Sequence, residues 1–318
     1  MSRVLLIGGA GFIGAHLARV LLDDGHRVDV LDDDRDLLPG EEATRARRWR
    51  RRELLPGATL HHGDAAEPAL LEAVLALAAP DAVVHLANLP LAGVATREPE
   101  RAQAAIVGVT EVVVRAVERC APAATLTYVS SSMVYGDFSG DPQGEDGPLR
   151  PRNRYGCCKL EAEEAVRASG LDWRIVRPSA VYGPGDGNGR FVQRLVAAAA
   201  SGRQLRLTAD PATRLDFTWV GDLAAGLAAA VLRPEARHCV FNVTAGRART
   251  LQEAIEAVRG HGLAVDLHPE SAVGDDEPRR GSLDISRARA ILGYAPAHDL
   301  ADGLAEYLYR AGELVPVV

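Results

Sequence analysis

Short apolar runs alternate with amphipathic stretches along the first half of the chain, and this alternation predicts the secondary structure. Continuous apolar runs predict strands over 4–7, 28–31, 59–61, 82–86, 126–130 and 173–177. Apolar residues at helical spacing predict helices over 13–23, 69–79 and 104–119. Strands without polar alternation, separated by helices, favour a parallel sheet that is covered by helices on both faces.

A glycine-rich turn lies between the first predicted strand and the first predicted helix. Gly9, Gly11 and Gly14 fit the pattern GxGxxG, and Gly8 extends it to GxxGxxG. Glycines permit a tight turn and a close approach of the backbone to a pyrophosphate, and the helix N-terminus offers free N–H donors. Because the motif follows a strand and opens a helix, it predicts a dinucleotide site.

Acidic residues at the ends of the next two strands bear on which dinucleotide binds. Asp32 lies 18 residues after Gly14, where a carboxylate accepts hydrogen bonds from the ribose hydroxyls and repels a 2′-phosphate. This favours NAD over NADP, although Arg35 keeps NADP open because a guanidinium suits phosphate. Asp64 follows the third strand and is interpreted either as an acceptor for the adenine amino group or as a turn aspartate.

Composition and charge narrow the class of protein. The 318 residues are 47% hydrophobic and 25% charged, which is enough apolar material for a sizeable core. The formal net charge of -7 gives no general electrostatic support for a nucleic acid or an anionic membrane as partner. The one basic run, RARRWRRR over 45–52, is interpreted as a solvated helix or loop, with a phosphate-binding or partner-binding patch as the alternative.

The cysteines and the N-terminus indicate where the protein works. Four cysteines without a CxxC pair, and histidines without metal spacing, indicate neither zinc nor a disulfide framework. The first apolar stretch is short and interrupted by glycine, so it is interpreted as a strand rather than a signal peptide. No apolar run reaches the length of a membrane span. We therefore expect reduced thiols, a cytoplasmic location and no bound metal.

Three consecutive serines and a tyrosine–lysine pair are the candidates for chemistry. Ser130, Ser131 and Ser132 follow the fifth strand, where serines serve either as turn residues or as hydroxyls for a substrate. Tyr155 and Lys159 stand at i and i+4 on one face of a predicted helix. A phenol has a pKa of about 10, which a lysine ammonium and a nicotinamide charge should lower. Tyr155 is then suited to take a proton from a substrate hydroxyl.

Taken together, the motifs resemble those of an extended short-chain dehydrogenase/reductase. The similarity is to the NAD-dependent sugar-nucleotide epimerase/dehydratase family, of the UDP-glucose 4-epimerase kind, and it runs from Gly8 nearly to the C-terminus. The motifs that carry it are GGAGFIG, Asp32, Gly63-Asp64, His85-Leu86-Ala87, SSSMVYG, YGCCK, RPSAVYGPG, DFTWVGD and LGYAP.

The resemblance implies roles for particular residues. The catalytic hydroxyl of the family precedes the glycine of the VYG element by five residues, which is Ser131 here, acting with Tyr155 and Lys159. The implied NAD site comprises Gly8, Gly11, Phe12, Ile13, Gly14, Asp32, Asp33, Asp64, Ala65, Leu86, Ala87, Asn88, Ser130, Tyr155, Lys159, Pro178 and Ser179. The implied substrate site comprises Ser131, Ser132, Met133, Tyr155, Ala180, Arg214 and Arg280.

Several positions depart from the family pattern. Dehydratases of the family usually carry Asp-Glu after the catalytic hydroxyl, whereas this chain has Ser132 and Met133, so elimination of water lacks evident proton carriers. The family's Asn in RPxNVYGPG, which helps to hold the substrate diphosphate, is Ala180 here, and an Arg before Asp-Phe is Leu215. Arg214, Arg279 and Arg280 are the candidates to replace the lost donors, because arginine suits phosphate.

These observations predict a doubly wound parallel Rossmann sheet with a smaller C-terminal mixed α/β substrate lobe. The expected domains are an NAD-binding domain over 1–178, with a return segment near 216–240, and a substrate lobe over 179–318, mainly 179–215 and 241–318. The expected function is NAD-dependent epimerisation of a nucleotide sugar at C4. The alternatives are an NAD(P)H-dependent ketoreductase or dehydrogenase of a deoxysugar nucleotide or other natural-product intermediate, and a non-catalytic dinucleotide sensor. The resemblance also implies a homodimer in which the helices over 104–119 and 159–168 form a four-helix bundle.

Overall fold

The structure is a computed structural model, and it describes residues 1–36, 40–89, 91–202, 204–208, 210–259, 265–268 and 278–314. Its strands are β1 (Arg3–Ile7), β2 (Arg27–Asp32), β3 (Thr59–His62), β4 (Ala82–His85), β5 (Thr125–Val129), β6 (Asp172–Arg177), β7 (Val181–Tyr182), β8 (Leu205–Thr208), β9 (Arg214–Asp216), β10 (Thr218–Trp219), β11 (Cys239–Asn242), β12 (Ala248–Thr250) and β13 (Val265–His268).

Within these residues the main sheet has seven strands in the order β11-β6-β5-β4-β1-β2-β3, and every neighbouring pair is parallel. The order reverses at β1, where β2 lies on one side and β4 on the other. In doubly wound sheets ligands bind in the crevice at the carboxyl ends of the strands beside such a reversal. The turn after β1 therefore lies where a dinucleotide is expected.

Helices cover both faces of this sheet. The α-helices of the described residues are α1 (Phe12–Asp23), α2 (Glu41–Glu53), α3 (Pro68–Ala78), α4 (Ala92–Arg97), α5 (Pro99–Ala102), α6 (Val109–Cys120), α7 (Arg154–Ala168), α8 (Phe191–Ser201), α9 (Val220–Leu232), α10 (Leu251–Arg259) and α11 (Leu300–Leu314), of which α8, α10 and α11 belong to the smaller lobe. Alternate residues of β1 point to opposite faces, so Leu6 packs with α1 and α9 while Leu5 and Ile7 pack with α3, α6 and α7. The doubly wound α/β prediction is confirmed.

A smaller group of elements follows the main sheet in the chain. It contains the two-stranded sheets β7–β10 and β8–β13, which are parallel, and β9–β12, which is antiparallel. Its core is formed by Leu195, Trp219, Ile255 and Leu304, which bring α8, α10 and α11 together. This is the mixed α/β lobe that the sequence predicts. The residue boundaries of the two domains stay a prediction, although β11 pairs with β6 in the main sheet.

The structure changes the prediction for 104–119 in one respect. A π-helical segment occupies Gln103–Gly108, and the regular helix α6 begins only at Val109. Short π-helical segments often occur at functional sites. The segment packs against α7, the helix that carries Tyr155.

The basic run over 45–52 lies in α2, and the prediction that it is solvated is wrong for part of it. Ala46, Trp49 and Arg50 are buried on one face of the helix. The Arg50 guanidinium donates to the backbone carbonyls of Ala10 at 2.9 Å and Gly185 at 2.6 Å. Arg50 is buried because its guanidinium donates hydrogen bonds to carbonyls of two separate loops. The number of charges near it in the sequence does not indicate this role. Arg50 thereby links the glycine-rich turn to the loop after β7.

Candidate active site

The glycine-rich turn after β1 is packed so closely that side chains have no room. Gly8 has a φ of +81°, and a Cβ there would lie 2.6 Å from the backbone nitrogen of Ala87. A Cβ on Gly14 would lie 2.7 Å from the Gly8 carbonyl oxygen. The N-terminus of α1, capped by Gly11 without any side-chain hydrogen bond, keeps its first N–H groups free for a ligand. The turn therefore fits a pyrophosphate, as predicted from its spacing.

Asp32, at the end of β2, shapes this turn. Its carboxylate accepts hydrogen bonds from the backbone N–H groups of Ala10 and Asp34, both at 2.9 Å. Burial raises the pKa of Asp32, and the two backbone donors oppose that rise. The carboxylate stands beside the turn, where it is placed to receive a ribose hydroxyl.

Two acidic residues expected near the adenosine end of the cofactor, Asp33 and Asp64, pair with Arg35. Arg35 is the arginine that could have bound the 2′-phosphate of NADP. Arg35 forms ion pairs with Asp33 at 3.1 Å and with Asp64 at 3.0 Å. Asp64 also accepts from the backbone N–H of Ala66. Because Arg35 is shared by two carboxylates, a 2′-phosphate would meet net negative charge here, which favours NAD.

Ser131, Tyr155 and Lys159 come together at the carboxyl end of β5. The Ser131 hydroxyl acts to lower the pKa of the Tyr155 phenol, and its Oγ accepts from the backbone N–H of Met133 at 3.2 Å. Ser131 therefore caps the 3-10 helix Ser132–Tyr135, as expected of a turn serine, and its role toward a substrate stays a prediction. The Lys159 Nζ donates to the Val129 carbonyl at 2.8 Å and lies 5.9 Å from the centre of the Tyr155 ring.

The sequence predicts that Lys159 lowers the pKa of Tyr155, but in the structure other groups act on that pKa. Burial raises the pKa of Tyr155, and the charge of Arg190 and the Ser131 hydroxyl oppose that rise. Burial also lowers the pKa of Lys159 to about 7, while Glu163 acts to raise it. A lysine that is close to its titration midpoint at neutral pH is a weaker source of positive charge than the sequence suggests.

A buried network beneath the lysine fixes the position of α7. Glu163, one turn after Lys159, is fully buried and accepts from the Arg177 guanidinium at 2.8 and 2.6 Å. The Ser130 hydroxyl donates to the same carboxylate at 2.6 Å. Ser130, expected at the cofactor, is therefore engaged with Glu163. A paired, fully hydrogen-bonded buried carboxylate holds the ends of β5 and β6 and the middle of α7 in one arrangement.

The other expected cofactor residues lie along the same strand ends. The backbone N–H groups of Leu86 and Ala87 both donate to the Ile7 carbonyl, and the Asn88 side chain donates to the Leu86 carbonyl at 2.6 Å. The Pro178 carbonyl accepts from the Ser132 N–H at 2.9 Å, so the segment after β6 runs directly beside the serines. Phe12, Ala65 and Ser179 are buried and Ile13 is partly buried.

The expected substrate residues divide into two groups. Ser132 and Met133 are buried next to Ser131, and Ala180 adopts a φ of +37°, which is rare for alanine. Arg214, by contrast, forms an ion pair with Asp141 at 2.6 Å. Arg280 is partly buried. The Ser131–Met133 segment therefore lies at the end of β5 with the other candidate residues, whereas Arg214 has an acidic partner within the protein.

Two arginines that the sequence analysis did not select reach the site. Arg50 supports the back of the glycine-rich turn, as described above. Arg190, the residue before α8, is partly buried and donates to the Val181 carbonyl at 3.4 Å. No local pattern marks either residue, because both act across loops that are distant in sequence. The sequence indicated Arg190 only through its position in the loop that follows the RPSAVYGPG motif.

Neither a metal-binding cluster nor a membrane-spanning helix occurs among the residues that the structure describes. Among the described residues no group of three or more His, Cys, Asp or Glu side chains is arranged to hold a metal ion. In the same part of the chain, the helices are all too short or too polar to cross a bilayer.

A doubly wound sheet with a free helix N-terminus at its glycine-rich turn, and a Ser–Tyr–Lys group at the strand ends, defines an NAD-dependent enzyme of the extended short-chain dehydrogenase/reductase type. The chain belongs to the NAD dependent epimerase/dehydratase family, whose sequence profile matches residues 4–244. The family resemblance and the choice of NAD are thereby confirmed.

Individual relatives agree with this assignment. The UDP-glucose 4-epimerase of Mycolicibacterium smegmatis is 31% identical over 316 residues, covering 96% of each chain. That of Halalkalibacterium halodurans is 27% identical over 334 residues, covering 96% of this chain and 94% of the relative. The crystal structure of UDP-glucuronic acid 4-epimerase from Bacillus cereus, in complex with UDP-glucuronic acid and NAD, has a TM-score of 0.86 at 25% identity, covering 98% of this chain and 99% of the other.

Proposed function

We propose that this chain is an NAD-dependent nucleotide-sugar 4-epimerase in which Tyr155 is the base. The observation that carries the proposal is that Ser131, Tyr155 and Lys159 converge at the end of β5, with the buried Lys159 Nζ 5.9 Å from the centre of the Tyr155 ring. The identities of the relatives as UDP-sugar 4-epimerases support uridine diphosphate sugars as substrates and C4 as the reacting carbon.

The proposed chemistry assigns each residue a task. Bound NAD supplies a reversible hydride acceptor. Tyr155 takes the proton of the C4 hydroxyl and later returns it, while Ser131 hydrogen-bonds the reacting oxygen and keeps it against the phenol. Lys159 places a positive charge near the phenol when it is protonated. The turn at Gly8–Gly14 and the carboxylate of Asp32 bind the cofactor.

The alternative of a 4,6-dehydratase is disfavoured by the residues beside Ser131. Eliminating water from the sugar requires an acid and a base at the substrate. The two positions after Ser131 are Ser132 and Met133, both buried. A hydroxyl and a thioether do not titrate in the range needed for that proton transfer.

A turnover assay without added cofactor tests the proposal. Purified protein is incubated with UDP-glucose or UDP-glucuronate, and the C4 epimer is followed by proton NMR. The expected result is conversion to an equilibrium mixture, because an epimerase that retains NAD consumes none. Conversion that instead consumes stoichiometric NAD(P)+ and forms an oxidised sugar would indicate a one-way oxidoreductase, and binding without conversion would indicate the dinucleotide sensor.

Two tyrosine variants provide the matched comparison. Tyr155→Phe removes the proposed base and is expected to lower kcat at least about a hundredfold. Tyr309→Phe removes the same hydroxyl from a side chain that is 83% exposed, and should leave the rate unchanged. Retention of full activity in Tyr155→Phe contradicts the proposed mechanism.

A further inference from the structure

Lys159 is the only lysine in the 318 residues, and its side chain is 1% exposed. The Nζ donates a hydrogen bond to the Val129 carbonyl at 2.8 Å, and no carboxylate of the described residues lies within ion-pairing distance of it. An ammonium that has lost its water without gaining a counterion is costly. A protein that needs this charge must therefore stabilise it by another contact.

The aromatic ring of Tyr128 supplies such a contact. The Lys159 Nζ lies over this ring, 4.9 Å from its centre, whereas the centre of the Tyr155 ring is 5.9 Å away. Tyr128 lies on β5 next to Val129, and it is as deeply buried as the lysine. An aromatic face attracts a cation within about 6 Å of its centre, and the attraction is strongest where water is excluded.

Four elements bring further titratable or charged groups to this region, which are Tyr155 and Glu163 on α7, His85 on β4, Tyr135 in the 3-10 helix and Arg177 on β6. Glu163 also favours the charged lysine, but its carboxylate is shared with Arg177 and Ser130. Burial lowers the pKa of His85 to about 3, so its ring carries no repelling charge near pH 7. Every charged side chain of α4, α5 and α6, which pack against α7, is exposed.

We propose that the ring of Tyr128 stabilises the Lys159 ammonium through a cation–π contact and so keeps this lysine charged near neutral pH. Tyr128 is then a positioning residue, because it acts on the site through Lys159. Its own ring stays a neutral phenol, since burial raises the pKa of Tyr128. The inference rests on the proposed function only where the charge of Lys159 affects the rate of epimerisation.

The single lysine allows a direct measurement that does not require turnover. Lysine labelled with carbon-13 at Cε gives one side-chain NMR signal in the full chain, and the change of its shift with pH reports the pKa of Lys159. With NAD present throughout, Tyr128→Leu removes the ring and is expected to lower the titration midpoint by about one to two pH units. Tyr128→Phe keeps the ring, so its midpoint should stay within about 0.5 pH unit of that of the unaltered protein.

A fluorinated ring separates the electrostatic effect from packing. Pentafluorophenylalanine at position 128 has nearly the shape of phenylalanine, but its fluorines withdraw electrons from the ring face, so the attraction for a cation is lost. Its midpoint should lie below that of Tyr128→Phe by about as much as that of Tyr128→Leu does. This comparison decides the question if Tyr128→Leu does not fold. Tyr309→Leu changes a tyrosine that is 83% exposed and should leave the midpoint unchanged.

The outcomes that overturn the inference are distinct. A midpoint that pentafluorophenylalanine leaves unchanged shows that the charge on the ring face plays no part, and an equal drop in Tyr128→Phe and Tyr128→Leu assigns the effect to the hydroxyl. If the protein epimerises its substrate, Tyr128→Leu should also lower kcat at pH 7 about tenfold and change KM by less than about threefold. A midpoint that shifts as expected in a protein that forms no epimer overturns the proposed function, and the role of Tyr128 stands.

Discussion

Asp216 lies at the end of β9, and we predict that its burial makes the protein less stable as pH rises from 4 to 7. Its side chain is fully buried, and its Oδ2 accepts from the Leu283 N–H at 3.0 Å and the Thr244 hydroxyl at 2.9 Å. The other carboxylate oxygen, Oδ1, has no hydrogen-bond partner in the described part of the chain. Burial therefore outweighs the donors and raises the pKa of Asp216 from 3.8 to about 7.

The size of this change in the free energy of unfolding follows from proton linkage. The folded protein binds this proton more tightly than the unfolded chain, so the contribution to stability is full below about pH 4 and is lost as pH rises to about 7. The difference between the two pKa values corresponds to about 4 kcal/mol. Asp216→Asn is neutral at every pH and keeps an oxygen for the Leu283 and Thr244 donors, so it should not show this loss.

The assay is urea unfolding of both proteins at intervals from pH 4 to pH 8. The unfolding free energy of Asp216→Asn, relative to that of the unaltered protein, is expected to rise by about 4 kcal/mol across the window. Asp146→Asn changes an exposed carboxylate and should give a nearly constant difference. A constant difference for Asp216→Asn, or one that falls with pH, would show that the hydrogen-bond donors outweigh burial and would refute the reasoning.

Three further substitutions test the site. Gly14→Ala places a Cβ 2.7 Å from backbone atoms, so it should lower the unfolding free energy by about 1–3 kcal/mol and reduce the amount of co-purified NAD, measured by absorbance. Gly144→Ala, whose Cβ would have no atom within 4 Å, should change neither quantity. Lys159→Met should lower kcat at least about a hundredfold yet raise the melting temperature, since it removes a buried amine; a lower melting temperature would contradict this. Ala180→Asn suits the φ of +37° and should raise the unfolding free energy by about 0.5–1 kcal/mol, and an unchanged urea midpoint would argue against strain there.

The parts of the fold that the sequence predicts are those that depend on local pattern. The strands of the main sheet, the glycine-rich turn and the spacing of Tyr155 and Lys159 all follow from residues that are neighbours in the chain. The structure moves the strand ends by one residue at most, as at β4, which ends at His85 rather than residue 86. The π-helical segment was not predicted, because nothing in its composition departs from an ordinary helix.

The parts that sequence reasoning missed depend on contacts between distant loops. Arg50 is separated by 135 residues from the Gly185 carbonyl that it contacts, so its burial inside a basic run has no local signature. Arg190 affects Tyr155 through space, and the balance between burial and charge at the phenol requires coordinates. Asp32 was expected as a ribose acceptor, and the structure adds that it also holds the Ala10 N–H.

The Arg177–Glu163 pair has a consequence for redesign of the protein. Arg177 ends β6, and Glu163 lies on the helix that carries Lys159 one turn earlier and Tyr155 two turns earlier. Any shift in the register of β6 would move Arg177 by a residue and turn it to the opposite face of the sheet, leaving Glu163 as an uncompensated buried anion. Mutational libraries that aim to change the substrate should therefore leave β6 and the second half of α7 untouched, and vary the loops around Ala180 and Arg190 instead.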